Sequence, residues 1–182
     1  MKYLLSVIVF FIFLQQMSLA QQKGYTPKIE PCECAFKVDS NLKTRCAYLI
    51  VPENRHKPNG KTIKLPFIYI ESGNPDKHKD PVLYTGGGPG ASSLRSVRGS
   101  YRRALLKNRD YIAFEQRGTQ FALPCLKCDE IGEAVKKGYR NNLPIDSMVL
   151  DGVKSCRKHL LAQGIDLSAY NTDESAADIE DL

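Results

Sequence analysis

A chain of 182 residues, 42% hydrophobic and 25% charged, has the length of one folded domain and lacks the bias of a disordered tail. Its formal charge of +6 is modest, and the basic cluster Arg98, Arg102, Arg103, Lys107 and Arg109 lacks the interleaved aromatics of a nucleic-acid binder. No nucleic-acid partner is expected.

Met1-Lys2 opens the chain with positive charge, Leu4 to Leu14 is almost wholly apolar, and Ser18-Leu19-Ala20 has the small-x-small character of a cleavage site. That apolar run is short for a membrane span, so residues 1–20 read as a signal peptide. The mature protein is then expected to be exported, secreted or periplasmic, with no stable membrane association. Export favours disulfides among Cys32, Cys34, Cys46, Cys125, Cys128 and Cys156, with the connectivity open. Cys125-x-x-Cys128 has no second CxxC, and His56, His78 and His159 stand at no ligand spacing, so no metal site is expected.

Residues 21–45 are polar, carry Pro27, Pro31 and the Cys32/Cys34 pair, and read as an irregular leader pinned by disulfides. Cys46 to Val51 then predicts a strand stopped by Pro52, and Asn59-Gly60 is a strong hairpin signal. In the returning strand Ile63, Leu65, Phe67 and Tyr69 share one face, and Pro66 suggests an edge position. An antiparallel hairpin therefore opens the domain. Val82 to Tyr84, a helical stretch within Ser92 to Leu106, and Tyr111 to Phe114 follow in the strand–helix–strand order of a parallel α/β sheet. Helical patterns return at Asp129 to Lys137 and Ile145 to Ala162. In the closing stretch "YNTDESAADIEDL", Asn171 and Glu174 have capping-box spacing, and Ser175, Ile179 and Leu182 line one face. No stop signal closes this last helix, which predicts a fold that is incomplete at Leu182.

The stretch "YTGGGPGASS" places Gly86, Gly87, Gly88, Pro89 and Gly90 directly behind a strand. A flexible linker does not ordinarily sit between a strand and a helix a few residues on. A dinucleotide turn fits Gly86-x-Gly88-x-x-Ala91 formally, with Glu115 as a ribose-binding acid, but Pro89 removes an N–H that could face a phosphate. A third reading is a loop that aims backbone N–H groups at the oxyanion of an acyl-transfer intermediate. Glycines allow the close approach, and proline fixes the loop.

"YTGGGPGASS" resembles the His-Gly-Gly-Pro-Gly loop of the proline iminopeptidase and tripeptidyl aminopeptidase-like branch of α/β-hydrolase serine peptidases, with Gly86 in the histidine's place. "FEQRGTQFALPCLKC" is similar to that family's Asp-x-Arg-Gly-x-Gly-x-Ser turn, with Glu115 for aspartate, Arg117-Gly118-Thr119 matching, Gln120 for glycine and Ala122 for serine. "YNTDESAADIEDL" resembles the helix that leads into the family's nucleophile strand. The resemblance implies that residues 46–182 are the N-terminal half of an α/β-hydrolase domain, cut before the nucleophile elbow. It implies Gly87 and Gly88 as oxyanion-loop residues, with Gly86, Pro89, Gly90, Arg117 and Gly118 as structural support. Arg117 would brace the turn beneath the site. It also implies a Cys125–Cys156 disulfide, with Cys128–Cys156 as the alternative.

The family's Gly-x-Ser-x-Gly elbow and its following acid and histidine are not found in the 182 residues. The resemblance thus implies part of an exported serine aminopeptidase acting on peptides through an acyl-enzyme. It needs no metal or organic cofactor, and this chain alone would be inactive. An esterase of the same fold, and a secreted binding fragment stapled by disulfides, are the alternatives.

Overall fold

The structure is a computed structural model that describes residues 24–88, 90–99 and 102–182. The expected signal peptide, residues 1–20, and Pro89 lie outside the described residues. Among the described residues, no helix is long and apolar enough to cross a membrane.

Five strands form one mixed sheet: β1 (Lys28–Pro31), β2 (Thr44–Pro52), β3 (Thr62–Ile70), β4 (Val82–Tyr84) and β5 (Tyr111–Phe114), in the order β1-β2-β3-β5-β4. The expected hairpin is β2–β3, antiparallel from Thr44↔Ile70 to Pro52↔Thr62. Its turn closes through Gly60 N–H to the Lys57 carbonyl and Glu53 N–H to the Lys61 carbonyl. β4 and β5 are parallel, as the strand–helix–strand order requires. Between them lie a 3₁₀ turn, Leu94–Arg98, and the short α1 (Arg102–Leu105).

The two-residue alternation in the strands sorts the apolar side chains to two faces. Ala47, Leu49, Val51, Ile63, Leu65, Phe67 and Phe114 share one face with Tyr69, Ile112 and Leu182. Ile68, Ile70, Tyr111 and Ala113 hold the other, covered by Leu94, Val97, Phe36 and Leu105. Leu49, Leu65 and Ile70 are wholly buried, each stabilising the fold by about 1.5–3 kcal/mol relative to an exposed side chain.

Three expectations are corrected here. The leader is not wholly irregular: β1 pairs antiparallel with β2 from Lys28↔Ile50 to Pro31↔Ala47. Pro66 is not on an edge strand, because β3 lies between β2 and β5. Lys64 exchanges backbone bonds with Leu123, and the Pro66 carbonyl accepts from Glu115 N–H, so even-numbered β3 residues address the β5 side. Pro66 stands opposite Glu115, one residue past the end of β5, so the N–H it lacks falls outside the regular β3–β5 ladder. The third correction is the disulfide. Cys156 is joined to Cys128, not to Cys125, and a second bridge joins Cys34 to Cys46. Cys125 sits in a stretch bridged to Gly118, whereas Cys128 stands at the start of α2 (Asp129–Arg140), the helix packed against the one that carries Cys156.

That partner helix is α3 (Ile145–Ala162). The α2–α3 pair approaches closely at Gly152, where a Cβ would lie 2.7 Å from the Ile131 Cα. Finally, α4 (Thr172–Asp181) is N-capped by Asn171, whose side chain accepts from Glu174 N–H at 2.9 Å. The reciprocal half of the capping box is not made; the Glu174 carboxylate goes to Arg55 instead. The expected face of α4 is also turned. Glu174 and Asp178 are the buried residues, and Ile179 is 38% exposed.

Candidate functional site

Parallel strands β4 and β5 end at the same edge of the sheet, so the loops that follow them emerge side by side. In open α/β sheets this carboxyl edge is where ligands bind. Glu115, the first residue after β5, is completely buried between the two loops. Its Oε2 accepts from Ser92 Oγ at 2.9 Å and Leu94 N–H at 3.1 Å, both on the glycine loop's side. Its Oε1 accepts from Thr119 Oγ at 2.9 Å and Phe121 N–H at 3.2 Å, in its own turn. Gln116 and Arg95 add further links between the loops. Gln116 Nε2 donates to Thr85 Oγ at 2.7 Å, and Arg95 Nε donates to Gln120 Oε1 at 3.1 Å.

Within the glycine loop the backbone donors divide into two groups. Gly86 is buried, and its N–H donates to Ser93 Oγ at 2.7 Å. Gly87 and Gly88 are exposed, and no acceptor among the described residues takes either N–H. Gly88 and Gly90 hold φ of +92° and +82°, and Ala91 N–H closes the turn onto the Gly88 carbonyl. Left-handed backbone of this kind is strained for any residue with a Cβ. The loop thus commits Gly86 to its own architecture and leaves two amides exposed. Ser92 and Ser93, the serines nearest in sequence, are engaged with Glu115 and Gly86.

Arg117 is buried, 6% exposed. It forms a two-pronged pair with Asp178, Nε to Oδ2 at 2.7 Å and Nη2 to Oδ1 at 2.6 Å, and its Nη1 reaches the carbonyls of Glu53 and Ala169. Arg55, from the hairpin turn, binds the same helix through Glu174 at 2.6 Å, Asp178 at 2.8 Å and Asp181 at 2.6 Å. Burial opposes the Arg55 charge, but the hydrogen bonds it donates to Asp181, Asp178, Tyr25 and Glu174 outweigh that and raise its pKa. Gly118 turns the chain at φ +74°, and a Cβ there would lie 2.9 Å from the Leu126 side chain. Tyr170 packs under this turn with its hydroxyl donating to Glu53; burial, then the Glu53 charge, push that phenol well above its usual range.

The structure therefore brings together the glycine loop and the Arg117-Gly118 turn, and it reveals Glu115 as the group that fastens one to the other. Glu115 was visible in the sequence as a residue standing for aspartate and, in the dinucleotide reading, as a ribose-binding acid, but not as a fastener. Arg55 and the acidic face of α4 carried one readable signal, the i, i+4, i+7 spacing of Glu174, Asp178 and Asp181. His159 lies away from this edge, on α3, with Nδ1 at 2.5 Å from Glu130 Oε1. Arg98 and Arg109, from the basic cluster, are turned to Phe36 and Asp80.

No family model matches the chain. It is 30% identical over 118 residues to the tripeptidyl aminopeptidases of Streptomyces lividans and Streptomyces coelicolor. The match takes in 62% of this chain and 22% of each relative, so the chain spans about a fifth of the length of the curated relatives it matches. This similarity supports a peptidase-related chain of hydrolase character. The mixed sheet with its flanking helices is of α/β class, and two disulfides fit an exported protein.

Proposed function

We propose that this chain carries the oxyanion-stabilising part of an exported α/β-hydrolase serine peptidase, one that removes short peptides from the amino end of its substrates. A serine hydroxyl, supplied by residues outside these 182, attacks the peptide carbonyl. The amides of Gly87 and Gly88 donate to the oxygen as it becomes negative, and water then releases the acyl-enzyme. The chain's own contribution is preorganisation. Glu115 and Ser93 hold the loop's ends, so the two free donors need not reorganise as charge develops. The amino-end specificity is carried over from the Streptomyces relatives, which are named tripeptidyl aminopeptidases.

The observation that carries this reading is the division of donors in the loop, with the N–H of Gly86 taken and those of Gly87 and Gly88 left over. A Cβ at Gly87 meets nothing within 4 Å, which permits a paired test in the full-length enzyme. Gly87→Ala keeps the N–H and should leave kcat on a tripeptide-releasing substrate nearly unchanged. Gly87→Pro removes it and should lower kcat by about 10²–10³-fold. Equal kcat in the two variants would remove Gly87 from the oxyanion site. A fluorophosphonate probe should label the full-length enzyme and leave the 182-residue chain unlabelled; labelling of the short chain would contradict an external nucleophile.

A further inference from the structure

Cys32 and Cys34 flank Glu33 just past β1, and Cys46 lies opposite on β2. The structure joins Cys34 to Cys46, with Cα atoms 5.2 Å apart, and leaves Cys32 as a half-buried thiol. Cys32 is nonetheless the direct cross-strand neighbour of Cys46. The ladder pairs Pro31 with Ala47, and Cys32 N–H donates to the Cys46 carbonyl at 3.0 Å. Directly opposed residues in an antiparallel pair point to the same face, with Cα atoms about 5.5 Å apart where they are hydrogen-bonded. Disulfides span Cα separations of about 4.4–6.8 Å. Cys46 therefore has two partners in reach. Cys32 and Cys46 also line one cavity of about 220 Å³, together with Glu33, Leu94 and Phe121.

We propose that Cys32, Cys34 and Cys46 form a thiol–disulfide exchange site, in which Cys32 takes Cys46 from Cys34. Cys32 Sγ gives its proton to solvent and attacks Cys46 Sγ. The Cys34–Cys46 bond breaks as the Cys32–Cys46 bond forms, and Cys34 leaves as a thiolate that takes up a proton. Oxidation state is conserved, and no outside oxidant is required. Burial, then Glu30, push the Cys32 thiol up against the opposing pull of Lys64, which keeps the attacking thiolate scarce at neutral pH.

The exchange has a structural consequence. Phe36, Val38 and Leu42 follow Cys34 and cover one face of the sheet, with the Phe36 ring 5.8 Å from that of Phe121. Phe121 N–H is one of the four donors that hold Glu115. Transfer of the bond to Cys32 unpins this cover at Cys34, beside the loop that Glu115 fastens. The thiol it releases is open to the disulfides of low-molecular-weight thiols.

The test is thiol trapping on the full chain, folded under oxidising conditions and held at about pH 8.5, where more of the thiol is ionised than at neutrality. The protein is quenched in acid and alkylated, and its linked peptides are sequenced without reduction. Two isomers of the linked peptide are expected, one alkylated at Cys32 and the other at Cys34. In Cys34→Ser, a Cys32–Cys46 bond and no alkylation of Cys46 are expected. In Cys32→Ser, alkylation of Cys34 should disappear, which separates exchange from incomplete oxidation. Wild-type label on Cys32 alone overturns the proposal, as does a Cys32–Cys125 bond. So does an alkylated Cys46 in Cys34→Ser, or Cys34 alkylated in Cys32→Ser as fully as in wild type.

Discussion

Glu115 accepts four hydrogen bonds on one buried carboxyl, two per oxygen, and each oxygen serves one hydroxyl and one backbone N–H. This pattern makes Glu115→Gln informative. Ser92 and Thr119 can rotate their hydroxyls to meet an amide NH₂, but the N–H groups of Leu94 and Phe121 can only donate. Whichever way the glutamine amide lies, one backbone donor faces another donor. An orphaned buried group of this kind costs about 1–3 kcal/mol. The expected outcome is a lower urea midpoint at unchanged m; a midpoint equal to wild type would mean that the carboxyl does not fasten the two loops. The Arg117–Asp178 pair is a different case. Both side chains are 1% exposed, and the guanidinium also satisfies two carbonyls, so its geometry is complete but its desolvation is large. Its evident role is to tie the Arg117-Gly118 turn to α4.

At the scale of elements, the α2–α3 pair depends on Gly152. A Cβ there would lie 2.7 Å from the Ile131 Cα and 3.1 Å from the Glu130 carbonyl oxygen, and both are backbone atoms. Alanine gains roughly 1 kcal/mol of helix propensity, but forcing two helices apart costs about 1–3 kcal/mol, so Gly152→Ala should be net destabilising. Gly132 on α2 is the control, since a Cβ there meets nothing within 4 Å, and Gly132→Ala should stabilise by about 0.5–1 kcal/mol. Thermal melts of the two variants should move in opposite directions; a rise in both would show that the helices are not in tight contact. The elements legible in the sequence were those with local signals: the β2–β3 hairpin from its turn and alternation, the parallel β4–β5 pair from its order, and the Asn171 cap from its spacing. β1 was missed because four exposed residues carry no alternation; only the partner strand makes them a strand. The buried side of α4 was misread because its apolar residues were counted while its carboxylates were left to solvent. Their partners, Arg55 and Arg117, stand 119 and 61 residues away in the chain, beyond any helical period. The site divides in the same way. The glycine loop was readable as a motif, whereas Glu115's four bonds draw on donors up to 23 residues away.

At the scale of the molecule, Asp80, Asp110, Glu130, Glu133 and Asp166 are all shifted in one direction, below the usual carboxylate range. Burial acts to raise Asp110, but hydrogen bonds from Lys77, Tyr69 and the Ser72 amide outweigh it and hold it low. Hydrogen bonds from Ser168, Lys57 and Asn54 hold Asp166 well below the usual carboxylate range. Unfolded aspartate titrates near about 3.9, so each group contributes stability that is fully present above that pH and lost as pH falls through its folded value. At the other end, Tyr69 and Tyr170 are raised, chiefly by burial, so their contribution holds below about pH 10 and is lost as pH rises through their folded values. Net charge deepens the acid limb. The chain is +6 near neutrality and moves toward its full 26 Lys and Arg as carboxyls protonate, adding self-repulsion to the lost bonds. The urea midpoint should therefore be level from about pH 5 to 9 and fall below about pH 4. Asp110→Asn should start from a lower plateau, because Lys77 loses the closer of its ion pairs, and should fall less steeply in acid, because one proton is gone from the difference between unfolded and folded states. A wild-type midpoint at about pH 3 equal to that at neutrality would mean that these carboxyls bind protons alike in both states, against the hydrogen bonds that surround them.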